Sequence, residues 1–318
     1  MSQVIDLTGS SPAAVSTRQT RSSTRQKLSP TASLSTKHQA SNPSSHKPAI
    51  EDLPPTQSLS CLSRLKGPFT SKRTWLASHT ISLPEDVLRS LVLSPKTYLN
   101  PVDATYLFAR SDAGTAVCIS PDGVLLTCAH CVAEKASELA TTPLHTLISS
   151  SGKLVSANVI AWDPARDLAL LLINKAELPH RPFPHARIAS IPPKFNTKLL
   201  CVGHPGSEDL QAETQGVETG YDPLVLSEGT FRGLAHGQAP QDNSCIGALK
   251  HNCWTYWGHS GAGLFDRKTG FLVGVHSSWD EVTGMRRGVP LEAVVAFLEE
   301  FEVSRREGMG DGWQWYVR

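Results

Sequence analysis

Long apolar runs are missing from this chain of 318 residues. The longest that matters, Leu168 to Ile173, is far shorter than the roughly 20 residues a bilayer-spanning helix needs. No membrane-spanning helix is expected. Also lacking is a basic N-terminal segment leading into an apolar one, since the chain opens MSQVIDLTGSSP. A secretory signal peptide is therefore not expected. No acceptor for N-glycosylation occurs either, because the proline of Asn42-Pro43-Ser44 disqualifies the one candidate. These absences lead to the expectation of an intracellular protein, nuclear or cytoplasmic. Charged residues are sparse at 19%, against 40% hydrophobic, a balance that supports a sizeable core and excludes a wholly disordered chain.

The net charge of +1 is unevenly spread. Residues 1–50 hold six Lys/Arg against the single acid Asp6, a local +5, while the remainder carries 24 basic and 28 acidic residues, a local −4. A slightly acidic body is not the footprint of a domain that binds nucleic acid specifically. Seven cysteines (61, 118, 128, 131, 201, 245, 253) are an odd number lying mostly in apolar segments. They are read as reduced thiols rather than a disulfide framework.

Residues 1–60 contain 21 Ser/Thr and almost no apolar periodicity. Such a segment cannot bury enough surface to offset its ordering entropy, so residues 1–80 are expected to be a disordered basic tail. Order is expected from SLPEDVLRSLV, a short helix with Ser82 near its cap, Pro84 in its first turn and Glu85/Asp86 at its positive end. From Thr105 onward the texture is short β-type runs: TYLFAR, GTAVCI, GVLLTCAH, KLVSANVIAW and LALLLI, with Ser120-Pro121-Asp122-Gly123 as a turn joining two of them. A second set follows in TKLLCVGHP, LVLSEGTFRG, the Trp-rich stretch 253–257 and GFLVGVHSS. Two sets of about six strands without interleaved helices predict an all-β fold of two packed antiparallel barrels. Leu291, Val294, Val295 and Leu298, spaced i, i+3, i+4, i+7, predict an amphipathic helix from Pro290.

Three local patterns then stand in the order His, Asp, Ser: Leu126-Thr127-Cys128-Ala129-His130-Cys131, Asp163-Pro164-Ala165-Arg166-Asp167, and Gly258-His259-Ser260-Gly261-Ala262-Gly263. A serine hydroxyl is a weak nucleophile until a neighbouring base takes its proton. Histidine, titrating near neutrality, suits that task. A carboxylate behind the ring fixes its tautomer and stabilises the imidazolium. Glycines beside the serine let the backbone aim two N–H groups at a developing oxyanion.

On GTAVCISPDGVLLTCAHCV, DPARDLALLLI, GHSGAGLFD and RRGVPLEAVVAFLEEF, the sequence resembles the chymotrypsin/trypsin clan of serine peptidases, more closely its HtrA (Deg) branch than the secreted trypsins. The resemblance covers about residues 104–301, the peptidase domain being placed at 81–302 and a C-terminal tail at 303–318. It implies two six-stranded barrels and a triad of His130, Asp167 and Ser260, with oxyanion donors in the N–H groups of Gly258 and Ser260. It further implies substrate contacts at Trp254, Thr255 and Ser277, the last on a strand that pairs with substrate and with a hydroxyl that supports the Asp, Ser278 being its alternative registration. His259 stands where secreted trypsins carry an acid, so activation by cleavage is not expected. Ala262 departs from the usual glycine. No PDZ domain is expected.

No acid occurs around Cys253-Trp254-Thr255-Tyr256-Trp257, so cleavage after Lys or Arg is not expected and a small apolar side chain is preferred. The same rings are equally well read as core of the second barrel. Cys128, His130, Cys131, His251 and Cys253 raise a zinc reading, but Cys-x-His-Cys is too tight for one ion, so no metal or other cofactor is expected. Val4-Ile5-Asp6-Leu7 resembles a SUMO-interacting motif, with Val4, Ile5 and Leu7 filling a groove. Arg18, Arg21, Arg25 and Lys27 are most simply solvated. The C-terminal Trp313-Gln314-Trp315-Tyr316-Val317 either adds a strand to an edge, lies across a groove or docks by its rings. The expected function is an intracellular serine endopeptidase acting on proteins or peptides. The alternative is a catalytically weak or inactive adaptor of the same fold that binds peptides or SUMO-modified partners.

Overall fold

Residues 50–53, 68–92, 100–110, 114–177, 182–305 and 315–318 are described by the computed structural model. In chain order the first half forms β1 (Glu51–Asp52), α1 (Pro68–Ser78), α2 (Glu85–Val92), β2 (Thr105–Phe108), β3 (Thr115–Cys118) and β4 (Val124–Thr127). A 3₁₀ turn (Ala129–Cys131), α3 (Ala136–Thr141), β5 (Leu144–Ser149), β6 (Leu154–Asp163) and β7 (Leu168–Ala176) complete it. The second half holds β8 (Lys198–Gly203), β9 (Val225–Leu234), β10 (Leu249–His251), β11 (Gly263–Asp266), β12 (Leu272–Trp279), β13 (Arg286–Pro290) and α4 (Leu291–Arg305).

Two closed antiparallel barrels result. The first runs β7-β4-β3-β2-β5-β6 and closes by pairing β6 with β7, and β1 adds a parallel edge to β7. The second runs β10-β13-β12-β11-β8-β9 and closes by pairing β9 with β10. β2, β3 and β4 are buried along their whole length, which is why they read as continuous apolar runs rather than alternating ones. On α4, Leu291, Val294 and Leu298 are buried and Val295 is half-buried, joined by Phe297 and Phe301. Each such side chain contributes about 1.5–3 kcal/mol of hydrophobic stabilisation, enough to fasten the helix over the barrel.

The folded body begins before residue 81, which corrects the tail boundary read from composition. α1 is a polar helix held at a few points. Phe69 and Leu76 are buried, Arg73 forms a 2.7 Å ion pair with Glu177, and its Nε donates to the Gly152 carbonyl at 3.1 Å. So few apolar anchors leave no helical period in the sequence. At the other end the chain both docks and pairs. Trp315 is buried edge-on against Phe301, with ring centroids 5.1 Å apart. Val317 bridges Arg187 and donates its N–H to Ile119.

Candidate active site

β4 delivers the chain into the 3₁₀ turn through Cys128, whose backbone is still extended (φ −74°, ψ 146°). The turn buries Ala129 and Cys131 and leaves the His130 side chain 46% exposed. Trp162 Nε1 donates to the Ala129 carbonyl at 3.2 Å and Arg110 to the Cys131 carbonyl at 2.5 Å, pinning the turn from two sides. Asp167 stands at φ 55° immediately before β7, in the left-handed region that aspartate tolerates better than most side chains. The preceding turn is held by Asp163 Oδ1, which accepts the N–H groups of Ala165 and Arg166 at 2.9 and 3.0 Å. The Asp167 carboxylate then meets His130 Nδ1 with both oxygens, at 2.9 and 3.0 Å, and Oδ1 also accepts the His130 backbone N–H at 3.2 Å. Ring and backbone are gripped by one carboxylate.

Ser260 comes from the second barrel, on a turn between β10 and β11. Gly261 there has φ 87°, and a Cβ on it would lie 1.9 Å from the Thr115 carbonyl oxygen, so no other residue fits. The first barrel reaches this turn through Thr115. Its N–H donates to the Ser260 carbonyl at 2.8 Å, its carbonyl accepts the Thr127 hydroxyl at 2.7 Å, and its own hydroxyl accepts the His204 N–H at 3.0 Å. The Ser260 hydroxyl donates to the Ser277 carbonyl at 3.0 Å. Among the described residues it makes no hydrogen bond to His130, and the N–H groups of Gly258 and Ser260 donate to nothing.

Two thiols flank the turn. Cys128 Sγ donates to the His276 carbonyl at 3.3 Å and Cys131 Sγ to the Ser260 carbonyl at 3.4 Å. Burial works against a charged His130, but the Cys131 sulfur and the Asp167 carboxylate outweigh it and raise the imidazole to about 11. Cys131 is drawn down to about 5, first by its hydrogen bond with Cys128 and then, against burial, by the His130 charge. Burial pushes Cys128 well above the ordinary thiol value. One group of possible metal ligands occurs among the described residues: Cys128, His130 and Asp167, with donor atoms within 4.8 Å of one another. It includes Asp167 and leaves out Cys131, His251 and Cys253.

The remaining residues named from sequence fall at differing distances from this centre. Ser277 supplies its carbonyl to Ser260, while its hydroxyl bonds Ser278 at 3.2 Å rather than Asp167. Trp254 packs edge-on against Tyr221 and His259, at 4.9 and 5.4 Å between centroids, and its carbonyl accepts the Ser227 hydroxyl at 2.8 Å. Thr255 is buried beside it. Ala262 is fully buried opposite Gly203, where any Cβ would come within 2.7 Å of the alanine methyl. The glycine missing at 262 is thus matched by one at 203. Val4, Ile5, Leu7 and the basic cluster 18–27 lie outside the described residues. Thr115 escaped notice in the sequence because its contacts with Ser260 and His204 cross between barrels, and Thr127 because its hydroxyl acts only through the Thr115 carbonyl on the neighbouring strand, whereas the Cys-x-His-Cys string was visible as letters.

No curated protein matches the chain. Among solved structures, it is similar to a serine endoprotease from Yersinia pestis, at 17% identity and a TM-score of 0.47, covering 70% of this chain and 68% of that one. It is also similar to the active form of the Rv3671c protease from M. tuberculosis, at 19% identity and a TM-score of 0.49, covering 76% of this chain and 96% of that one. The family model of the trypsin-like peptidase domain matches residues 114–275. That span is half of the sequence and holds His130, Asp167 and Ser260, and the chain belongs to the trypsin-like peptidase family.

Proposed function

We propose that the protein is an intracellular serine endopeptidase that cleaves protein or peptide substrates through an acyl-enzyme. In this reading Ser260 Oγ attacks the scissile carbonyl and His130 accepts its proton. Asp167 holds the ring so that Nδ1 carries the hydrogen and Nε2 faces outward as base. The N–H groups of Gly258 and Ser260 receive the oxyanion, and His130 then returns its proton to the leaving amine. The observation that carries the reading is the two-oxygen grip of Asp167 on His130 Nδ1, at 2.9 and 3.0 Å, beside a glycine-bounded serine turn from the opposite barrel. Six described cysteines stand as thiols, which supports a reducing compartment.

The resting hydroxyl of Ser260 points to Ser277, and this favours a second reading, a retained fold that binds peptides without cleaving them. A fluorophosphonate probe separates the two. The peptidase should be labelled on Ser260, with labelling lost in Ser260→Ala and His130→Ala. Folded wild-type protein that stays unlabelled would establish the binding module instead.

A further inference from the structure

Cys128 and Cys131 bracket His130 in a turn that brings their side chains together. The Cys131 N–H donates to the Cys128 carbonyl at 3.2 Å. A reversal closed by such an i to i+3 bond keeps the end α-carbons within about 7 Å, and the two side chains lie within hydrogen-bond reach of each other. Disulfides span α-carbon separations of about 4.4–6.8 Å. Both sulfurs also reach carbonyls of the second barrel, Cys131 that of Ser260 in the serine turn and Cys128 that of His276 on β12. The pair is chemically unequal: Cys131 is drawn toward the thiolate and Cys128 stays a thiol. One nucleophilic sulfur beside one protonated sulfur is the arrangement dithiol oxidation uses.

We propose that Cys128 and Cys131 are a reversible disulfide site, whose closure disables the His130–Ser260 centre. The first half stands on the turn geometry alone, and the second rests on the peptidase reading. With a peroxide as oxidant, the Cys131 thiolate attacks one peroxide oxygen. The O–O bond breaks, hydroxide leaves and takes up a proton as water, and Cys131 becomes a sulfenic acid. The Cys128 sulfur then attacks that sulfur. The S–O bond breaks, the S–S bond forms, and the departing hydroxide leaves as water with the Cys128 proton. Two thiols have lost two electrons and one peroxide has become two waters. A small dithiol reverses the exchange.

Closure has two consequences for the site. The Cys128 S–H donor vanishes, so the His276 carbonyl on β12, which also accepts the Gly261 N–H of the serine turn, loses that bond. The segment that must tighten also carries His130, which loses its anionic neighbour at the same time.

The test uses full-length protein carrying Cys61→Ser and Cys245→Ser, the latter removing the exposed thiol. Reduced protein is treated with hydrogen peroxide, alkylated and mapped by mass spectrometry. The expected result is a peptide spanning 128–131 that is two hydrogens lighter and resists alkylation at both positions, restored by dithiothreitol. Fluorophosphonate labelling of Ser260 should fall at least tenfold and recover with the same reductant. Cys128→Ser should instead accumulate a sulfenic acid at Cys131 that a dimedone probe traps. Both thiols remaining alkylatable after peroxide, or a sulfinic acid on Cys131 beside a free Cys128, overturns the site. A bridge that forms while labelling is unchanged overturns its control of catalysis. A bridge in a protein that is never labelled upholds the site and removes the peptidase reading.

Discussion

At residue 167 the chain accepts a left-handed backbone, φ 55°, to aim a carboxylate at His130. Residues in sparsely populated conformations gather where function demands them. Asp167→Asn keeps size and shape but replaces an oxygen acceptor by an N–H donor facing Nδ1, so the ring should adopt the wrong tautomer. Labelling of Ser260 should fall by about 10⁴-fold with thermal stability nearly unchanged, read from probe kinetics beside a melting curve. The second prediction concerns Cys131. Because its sulfur and Asp167 raise His130 to about 11, the neutral base gains population only as pH rises, and labelling should increase through the alkaline range. Cys131→Ser removes the anion, lowers the His130 pKa and moves that limb to lower pH. A limb that stays in place would mean the sulfur is uncharged. At this scale the letters His130, Asp167 and Ser260 were legible, since their chemistry and order are written in the chain. The roles of Thr115 and Cys131 were not, because one acts through the Ser260 carbonyl on the other barrel and the other through its charge beside His130, and neither leaves a spacing to read.

Among the elements, the turn before β7 is tied to α4 by one side chain. Arg166 bonds Asp163 at 2.7 Å within its own turn and reaches both oxygens of Glu300 on α4, at 2.8 and 2.5 Å. The Asn243 N–H adds a 2.8 Å bond to the Ala165 carbonyl from the loop ahead of β10. The acid of the site is thus braced by the second half of the chain as well as by β7. Arg166→Ala should loosen the Asp167 turn, slowing Ser260 labelling severalfold, with only a small stability loss because Glu300 is largely solvent-exposed. Arg166→Lys should not restore the rate, since an ammonium cannot make the forked contact. Hydrogen exchange at 163–167 is the measurement, and unchanged protection in the alanine variant would refute the brace. β2, β3, β4, β6 to β9, β12 and α4 were legible as apolar runs and helical spacing, whereas β5, β10, β11 and β13 were not read as strands and the Trp-rich stretch 253–257, counted with the second set, forms none. α1 and the two-residue β1 were not, because one is anchored by a few contacts and the other is fixed by pairing rather than composition.

For the whole molecule, the second barrel carries a group of neutral buried histidines. His251 Nε2 and His276 Nδ1 are 3.0 Å apart, and the rings of His259 and His276 are 6.4 Å apart. His204 lies buried nearby, with its N–H on Thr115. Burial first, and then neighbouring charge including Arg286, lowers His251 and His259 to about 3 and His276 well below its ordinary value. His204 is likewise lowered by burial, and His145 in the first barrel falls to about 4 through burial and Arg110. No sequence pattern announced this group, since each histidine belongs to a different segment. Its consequence is a stability that depends on acid. Below about pH 6.5 the unfolded chain takes up protons at these positions while the folded chain does not, so folding free energy declines with falling pH. Each histidine contributes up to about 1.4 kcal/mol per pH unit. His130 is raised instead, so its contribution is complete below its unfolded value and is lost only as pH climbs toward 11. It therefore does not blunt the acid side. Between pH 6.5 and 5.5, above the main carboxylate range, denaturant titrations should show a loss of several kcal/mol, a large share of a typical 5–15. Replacing His251 by Gln should flatten that slope by about one proton. A slope near zero in the native protein would mean that these rings are already charged in the folded state and that burial does not hold them neutral.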